Sequence, residues 1–288
     1  MSEIKINEKF KDRLFCWIFG KNENKQHLLD LYNAINNTDY DDTNQIEINT
    51  IEDVIYMKMK NDVSCIIEND LSLYEHQSTF NPNMPFRSFE YCSKLYDAIV
   101  TTRGYDVYST KLLKFPAPHC YVFYNGIDKH NDREILKLSD AFETPSDGYE
   151  WTVTMLNINY GHNSELMGKC NALNEYSIFV DKVRKNIETM SKEMAIDEAV
   201  NYIIDLKGDL SAFFAKNRSE VCDMCITEYN EVQHLENVKQ EGIEQGQSSI
   251  LDILDYINAN PTKTDIEVAS NLNCKESLVK ETRKRIIK

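Results

Sequence analysis

Glycine and proline are scarce in this sequence, at 9 and 6 of 288 residues. That excludes a collagen-like chain and a Gly/Pro-rich low-complexity chain. No run of about 18 apolar residues occurs, so no transmembrane helix is predicted. The opening residues, MSEIKINEKFKDR, hold no apolar stretch ahead of a small-residue cleavage site. No secretory signal is expected, and the chain is expected in the cytoplasm. Basic residues are the minority, 32 against 47 acidic ones, for a net charge of -15. That argues against a broad nucleic-acid-binding surface, which needs cations to displace counterions. The eight cysteines lack zinc spacing: Cys222 and Cys225 are the only close pair, with no second pair to complete a site. Buried structural thiols are expected instead.

What is present suffices for a large core. Hydrophobic residues make up 42% of the chain, with 16 Tyr, 12 Phe and 2 Trp. The length suggests about two domains, or one with an appendage. Apolar spacing predicts two helices over residues 7–36, punctuated at Gly20, from Phe10, Leu14, Trp17 and Ile18 and then Leu28, Leu31, Tyr32 and Ile35. Residues 46–59 read as a strand or the approach to one. Val63–Ile67 and Leu71–Ser78 read as strands around a turn at Glu68-Asn69-Asp70. A helix over 85–99, a short strand His119–Tyr124 and a strand over 151–160 follow. The order predicts an α/β fold whose mixed sheet contains a hairpin. Residues 164 to about 240 read as helical, Gly242–Gly246 as a linker, and 248–288 as three short helices. The divisions expected are 1–163 as an α/β core, 164–241 as a helical extension and 248–288 as a small C-terminal module.

The hairpin carries the chemistry. A turn centred between Asn69 and Asp70 sets Ser64 opposite Glu75 and Asp62 opposite Gln77. Opposed residues share a sheet face, and alternation puts 75 and 77 together. Asp62, Glu75 and Gln77 then converge. Two close carboxylates repel, and a cation relieves them. Carboxylates and water are what Mg²⁺ prefers, and bound Mg²⁺ polarises phosphoryl oxygens and activates water. Gln77 is placed to orient that water but is too weak a base to deprotonate it. The alternative is a pair of polar residues on a solvated sheet face.

Asp62-Val-Ser-Cys, Leu71-Ser-Leu-Tyr-Glu75-His-Gln77-Ser-Thr and Asn81-Pro-Asn-Met-Pro-Phe-Arg87 together resemble the Rpn family of recombination-promoting, transposase-like nucleases in the PD-(D/E)XK superfamily. Phe10-Lys-Asp12, Val122-Phe-Tyr-Asn-Gly126, Leu138-Ser-Asp-Ala-Phe142 and Leu156-Asn-Ile-Asn159 add to the resemblance, which spans about residues 5–247. It implies a restriction-endonuclease-like fold, Mg²⁺ or Mn²⁺ as cofactor, and DNA as substrate in recombination or mobile-element biology. Carried over, the metal ligands are Asp62, Glu75 and the backbone carbonyl of His76. Gln77 stands where the superfamily has Lys, as is common in the Rpn group. Such sites are often completed from the first helices, where Glu8, Lys11 and Asp12 are candidates.

Lys58 and Lys60 before the hairpin, and Arg87 after it, are candidate phosphate contacts. Residues 248–288 carry a net +1, leaving -16 for the rest. Thr264 reads as an N-cap, and the pattern of Ile266, Val268, Leu272 and Leu278 resembles a helix-turn-helix. Lys280, Arg283 and Lys284 share one face of its last helix and are further DNA-binding candidates. The alternative for this segment is a helical cap or a dimerisation element, so a homodimer is a second expected partner state. The functional expectation is a metal-dependent DNA endonuclease. Its alternatives are a catalytically weak or inactive DNA- or partner-binding protein on a nuclease scaffold, and a protein-interaction module.

Overall fold

A computed structural model of the chain describes residues 9–48, 62–146, 148–226, 250, 253–254, 256–272 and 274–286. The chain divides into two compact units, Met1–Glu228 and Tyr229–Lys288.

In the first unit, helices α1 (Lys9–Gly20) and α2 (Lys25–Asn36) form as the spacing predicts and separate where Gly20 and the polar run after it interrupt the apolar stripe. Strands β1 (Ile46–Ile48), β2 (Val63–Ile67) and β3 (Asp70–Gln77) follow, then the 20-residue helix α3 (Met84–Arg103). Pro85 sits in the first turn of α3, where no intrahelical N–H bond is lost, and Gly104 closes it in the left-handed region at φ 61°. Strands β4 (Ala117–Tyr124), β5 (Arg133–Lys137) and β6 (Thr152–Asn157) complete the sheet. Helices α4 (Ser164–Lys169), α5 (Asn171–Asn186), α6 (Lys192–Leu206) and α7 (Ser211–Lys216) follow within the same unit.

Among the described residues the sheet order is β1-β2-β3-β4-β6-β5. The β3–β4 and β4–β6 pairs are parallel; the β1–β2, β2–β3 and β5–β6 pairs are antiparallel. The chain is thus α/β with a mixed sheet flanked by helices. Leu71 and Leu73 pack with Tyr91, Cys92 and Leu95 of α3 on one face. On the other, Phe15 of α1 lies against Phe123 of β4 and Tyr176 of α5, with ring centroids 5.1 and 5.9 Å away. Covered on both faces, β2 and β3 are buried almost throughout, so Ser64 and Ser72 are as buried as their apolar neighbours.

The hairpin turn lies one residue earlier than expected. Its loop is Glu68-Asn69, with Ile67 paired to Asp70 and Val63 to Tyr74. Asp70 joins the strand because its carboxylate has partners there: the Tyr32 hydroxyl donates to it at 3.1 Å, and His119 lies 3.4 Å away. Glu68 takes the left-handed conformation at φ 52°. The register therefore moves by two residues. Asp62 does not oppose Gln77; continuing the pairing outward from Val63 and Tyr74 sets it opposite Glu75. Strand β5 was not anticipated. It is an edge strand with no fully buried position, so its sequence lacks an apolar alternation.

In the second unit, residues 256–259 are helical, as are Asp265–Asn271 and Glu276–Ile286. Thr264 caps the second of these and exchanges hydrogen bonds with Glu267 in a capping box. Ile253, Ile257, Val268, Ala269 and Val279 make a small core.

Candidate functional site

The site forms where β2 leaves the ladder. Position 62 opposite 75 is a non-hydrogen-bonded pair, in which side chains come closest. The Asp62 N–H donates to Oε1 of Glu75 at 3.2 Å, and Oδ2 of Asp62 accepts the His76 N–H at 2.6 Å. The Asp62 carboxylate thus stands in for the next ladder acceptor. A strand residue presents its N–H and C=O to the same neighbouring strand. The His76 carbonyl therefore faces the edge on which Asp62 lies. Three oxygen-bearing groups, the carboxylates of Asp62 and Glu75 and the carbonyl of His76, belong to one rim of the hairpin.

Both carboxyls titrate high. Burial pushes Asp62 up to about 6, against the His76 N–H, which holds it down; the Asp12 charge adds to the rise. Burial also pushes the 3% exposed Glu75 well above the usual carboxylate range. The neighbouring Asp62 charge raises it further, and the Arg87 guanidinium opposes the rise. Arg87 Nη2 lies 3.6 Å from Glu75 Oε2 and donates to the Tyr91 hydroxyl at 2.9 Å. Arg87, a candidate phosphate contact from sequence, lies beside the carboxylate pair with a third of its side chain exposed. Cys16 of α1 closes the inner side, its thiol donating to the Asp62 carboxylate. Burial pushes that thiol up, and Asp62, Asp12 and Glu75 add to the rise.

A second layer lies beneath the rim: Asp12 and Lys11, candidates from the first helix, belong to it, while the His76 ring and Tyr176 carried no sequence signal. Nδ1 of the buried His76 lies 2.6 Å from Oδ1 of Asp12, and Nε2 lies 3.0 Å from the Tyr176 hydroxyl. Tyr176 also donates to the Lys11 carbonyl at 3.0 Å. Facing a carboxylate, Nδ1 acts as a donor. This network joins β3 to α1 and α5 over sequence separations of 64 and 100 residues, which no local motif encodes. Lys11 is buried, and its ammonium donates to the Asn125 carbonyl at 3.1 Å. Arg184 reaches the same carbonyl at 3.1 Å. Asn125, just past the end of β4, is thereby the anchor of two cations.

Gln77 ends β3 half-buried, on the same face as Glu75 by alternation. Glu8, Lys58 and Lys60 lie outside the described residues. In the second unit, Lys280 pairs with Glu276 at 2.7 Å and Arg283 with Asp265 at 2.7 Å, while Lys284 is exposed. The three cations do not form one uncommitted face. Arg283 ties its helix to Asp265, and its Nη2 donates to the Lys263 carbonyl at 2.9 Å.

Among the described residues, no group of three or more His, Cys, Asp and Glu side chains is gathered to hold a metal ion. An ion at this rim would rest on two carboxylates, a backbone oxygen and water. That all-oxygen set suits a hard divalent cation such as Mg²⁺ or Mn²⁺ and does not suit zinc. No protein-family model, curated protein or solved structure matches the chain.

Proposed function

We propose that the chain is a metal-dependent DNA endonuclease of the restriction-endonuclease-like class. The observation that carries this reading is the Asp62–Glu75 pair. Two carboxylates stand directly opposed at a hairpin rim, and their enclosure makes full ionisation costly. Arg87 offsets part of that cost at Glu75, and a divalent cation would relieve both carboxylates together. Asp62, Glu75 and the His76 carbonyl would hold Mg²⁺ or Mn²⁺. When bound, the ion supplies Lewis-acid polarisation of a phosphoryl oxygen.

The protein's own groups have separate tasks. Gln77, on the Glu75 face, orients water for attack on phosphorus. Arg87 balances charge beside Glu75. The Asp12–His76–Tyr176 network fixes the end of β3, so that the ligand oxygens keep their spacing. The resemblance to the Rpn family supports the reading and suggests recombination or mobile-element biology. The helices after residue 250 supply exposed Lys284 as a candidate backbone contact and a candidate dimer surface.

A second reading, a DNA- or partner-binding protein with lost or weak cleavage, is favoured by one observation. Arg87 lies 3.6 Å from Glu75, where it competes with a cation for the carboxylate. Calorimetric titration of Mn²⁺ into wild type and Glu75→Ala, beside DNA cleavage by both, separates the two. Loss of both binding and cleavage in the variant supports the nuclease. Binding by the wild type with no cleavage supports the second reading, and no metal binding sinks the site.

A further inference from the structure

Arg184 of α5 is half-buried and seated on neutral oxygens. Its Nη1 donates to Oδ1 of Asn159 at 3.1 Å, and its Nη2 to the carbonyl and Oδ1 of Asn125 at 3.1 and 3.0 Å. Both amides are themselves fixed. Asn159 Nδ2 donates to the Gly126 carbonyl at 3.1 Å, and Asn125 Nδ2 to the Ile158 carbonyl at 3.4 Å. Arg87, Arg218 and Arg283 each stand beside a carboxylate. Among the described residues, no carboxylate lies within ion-pairing distance of Arg184. Neutral acceptors orient a guanidinium without cancelling its charge. The N–H on Nε and one of the two on Nη1 keep no protein acceptor among the described residues. Lys11 brings a second positive charge to the Asn125 carbonyl, at 3.1 Å.

This seat adjoins the carboxylate rim. The Asn125 N–H donates at 2.9 Å to the carbonyl of Gln77, two residues beyond Glu75. On α1, Lys11 precedes Asp12, whose carboxylate lies 2.6 Å from the His76 ring. Strands β3, β4 and β6 run parallel, so Gln77, Tyr124 and Asn157 finish them at one end of the sheet. In open α/β sheets, ligands bind in the crevice outside such ends. Adjacent strands are about 4.8 Å apart, so a nucleic-acid backbone crossing from β3 to β4 covers that step within one or two nucleotides.

We propose that Arg184, seated on Asn125 and Asn159, binds a backbone phosphate of the nucleic acid next to the one held at the Asp62–Glu75 rim. The choice of a backbone phosphate over a free phosphate ion rests on the nuclease reading. The guanidinium suits both, so both are tested.

The test is fluorescence anisotropy of the full-length protein with a labelled duplex of about 20 base pairs over a range of KCl, in EDTA and in Ca²⁺. Arg184→Gln removes the charge; Arg184→Lys keeps it and loses the fork. Circular dichroism melts establish folding, and calorimetry follows inorganic phosphate alone. Arg184→Gln is expected to weaken duplex binding roughly 10-fold at low salt. It is also expected to flatten the slope of log binding constant against log salt by about 0.9, the share of one phosphate contact. Arg184→Lys is expected to keep the slope and to weaken binding roughly 3-fold. A merely structural tie between α5 and the sheet would lower the melting temperature and leave the slope alone. An unchanged slope in Arg184→Gln overturns the proposal; if that variant does not fold, wild-type affinity in Arg184→Lys overturns it. No duplex binding by the wild type in either condition overturns it as well. So does inorganic-phosphate binding that Arg184→Gln abolishes without any change in DNA binding, which assigns the seat to the free ion. A slope that depends on Arg184 without Mg²⁺-dependent nicking upholds the proposal and removes the nuclease reading. Nicking with a slope indifferent to Arg184 does the reverse.

Discussion

His76 is held from both sides by aspartates. Its backbone N–H donates to Asp62 at 2.6 Å, and its imidazole Nδ1 lies 2.6 Å from Asp12. One residue therefore connects the carboxylate rim to helix α1, and through Tyr176 to α5. The rim's geometry depends on packing far from it in sequence.

Removing the far end of that connection is expected to destabilise the fold. Tyr176→Phe deletes a hydroxyl bonded to both His76 and the Lys11 carbonyl and leaves buried polar atoms unpaired. The expected cost is about 1–3 kcal/mol. Asp12→Asn, which keeps size and removes charge, is expected to cost about 1–2 kcal/mol. Urea unfolding of the two variants and wild type checks both values. Wild-type stability in Tyr176→Phe would show that the network carries no load.

The carboxylate pair makes the metal-free fold less stable as pH rises. A carboxyl whose folded pKa exceeds its unfolded value binds its proton more tightly when folded. Stability is then lost as pH climbs from the unfolded value, near 4, through the folded one. For Asp62 that loss is centred between about 4 and the folded value of about 6, and Glu75 extends it upward. Asp62→Asn is expected to stabilise the protein in EDTA at about pH 8 by on the order of 1–3 kcal/mol, with the gain vanishing near pH 4. Urea titrations across that range read the difference directly. A gain independent of pH would mean that Asp62 is not the titrating group.

Glu68 is a non-glycine residue in the left-handed turn of the hairpin, at φ 52°. Glu68→Gly is expected to raise stability by up to about 1 kcal/mol by removing the Cβ clash. The Tyr40 hydroxyl bonds the Glu68 carboxylate at an open surface, so its loss offsets little. A thermal melt settles the sign; a lower midpoint would show that the carboxylate matters more than the backbone.

These results also show where sequence reasoning reached and where it stopped. Helix pairing at Gly20, the hairpin, helix α3 and the strand around His119–Tyr124 are written in local apolar spacing and turn residues. The meeting of Asp62 with Glu75 was legible because opposed strand residues share a face. A register error of two residues preserves that face, so the conclusion survived a misplaced turn. The turn was misplaced because the partners that draw Asp70 into the strand, Tyr32 and His119, come from distant segments. The Asp12–His76–Tyr176 network was illegible for the same reason. The approach of Arg87 to the buried Glu75 was illegible too, because α3 and β3 meet only through tertiary packing. Strand β5 left no pattern because of its five residues only Leu136 packs an apolar side chain on the core, while the neighbouring Ile135 is exposed.

The most direct test of the carboxylate rim is Mg²⁺-dependent nicking of supercoiled plasmid by wild type and Asp62→Asn, each purified free of contaminating nuclease. The Asn side chain can still accept the His76 N–H, so the fold is retained while one anionic ligand is lost. Nicking by the wild type that falls at least about 100-fold in the variant is the predicted result, matching a loss of a few kcal/mol in transition-state stabilisation. Equal nicking by both proteins would contradict the assignment of Asp62 and Glu75 as the catalytic centre.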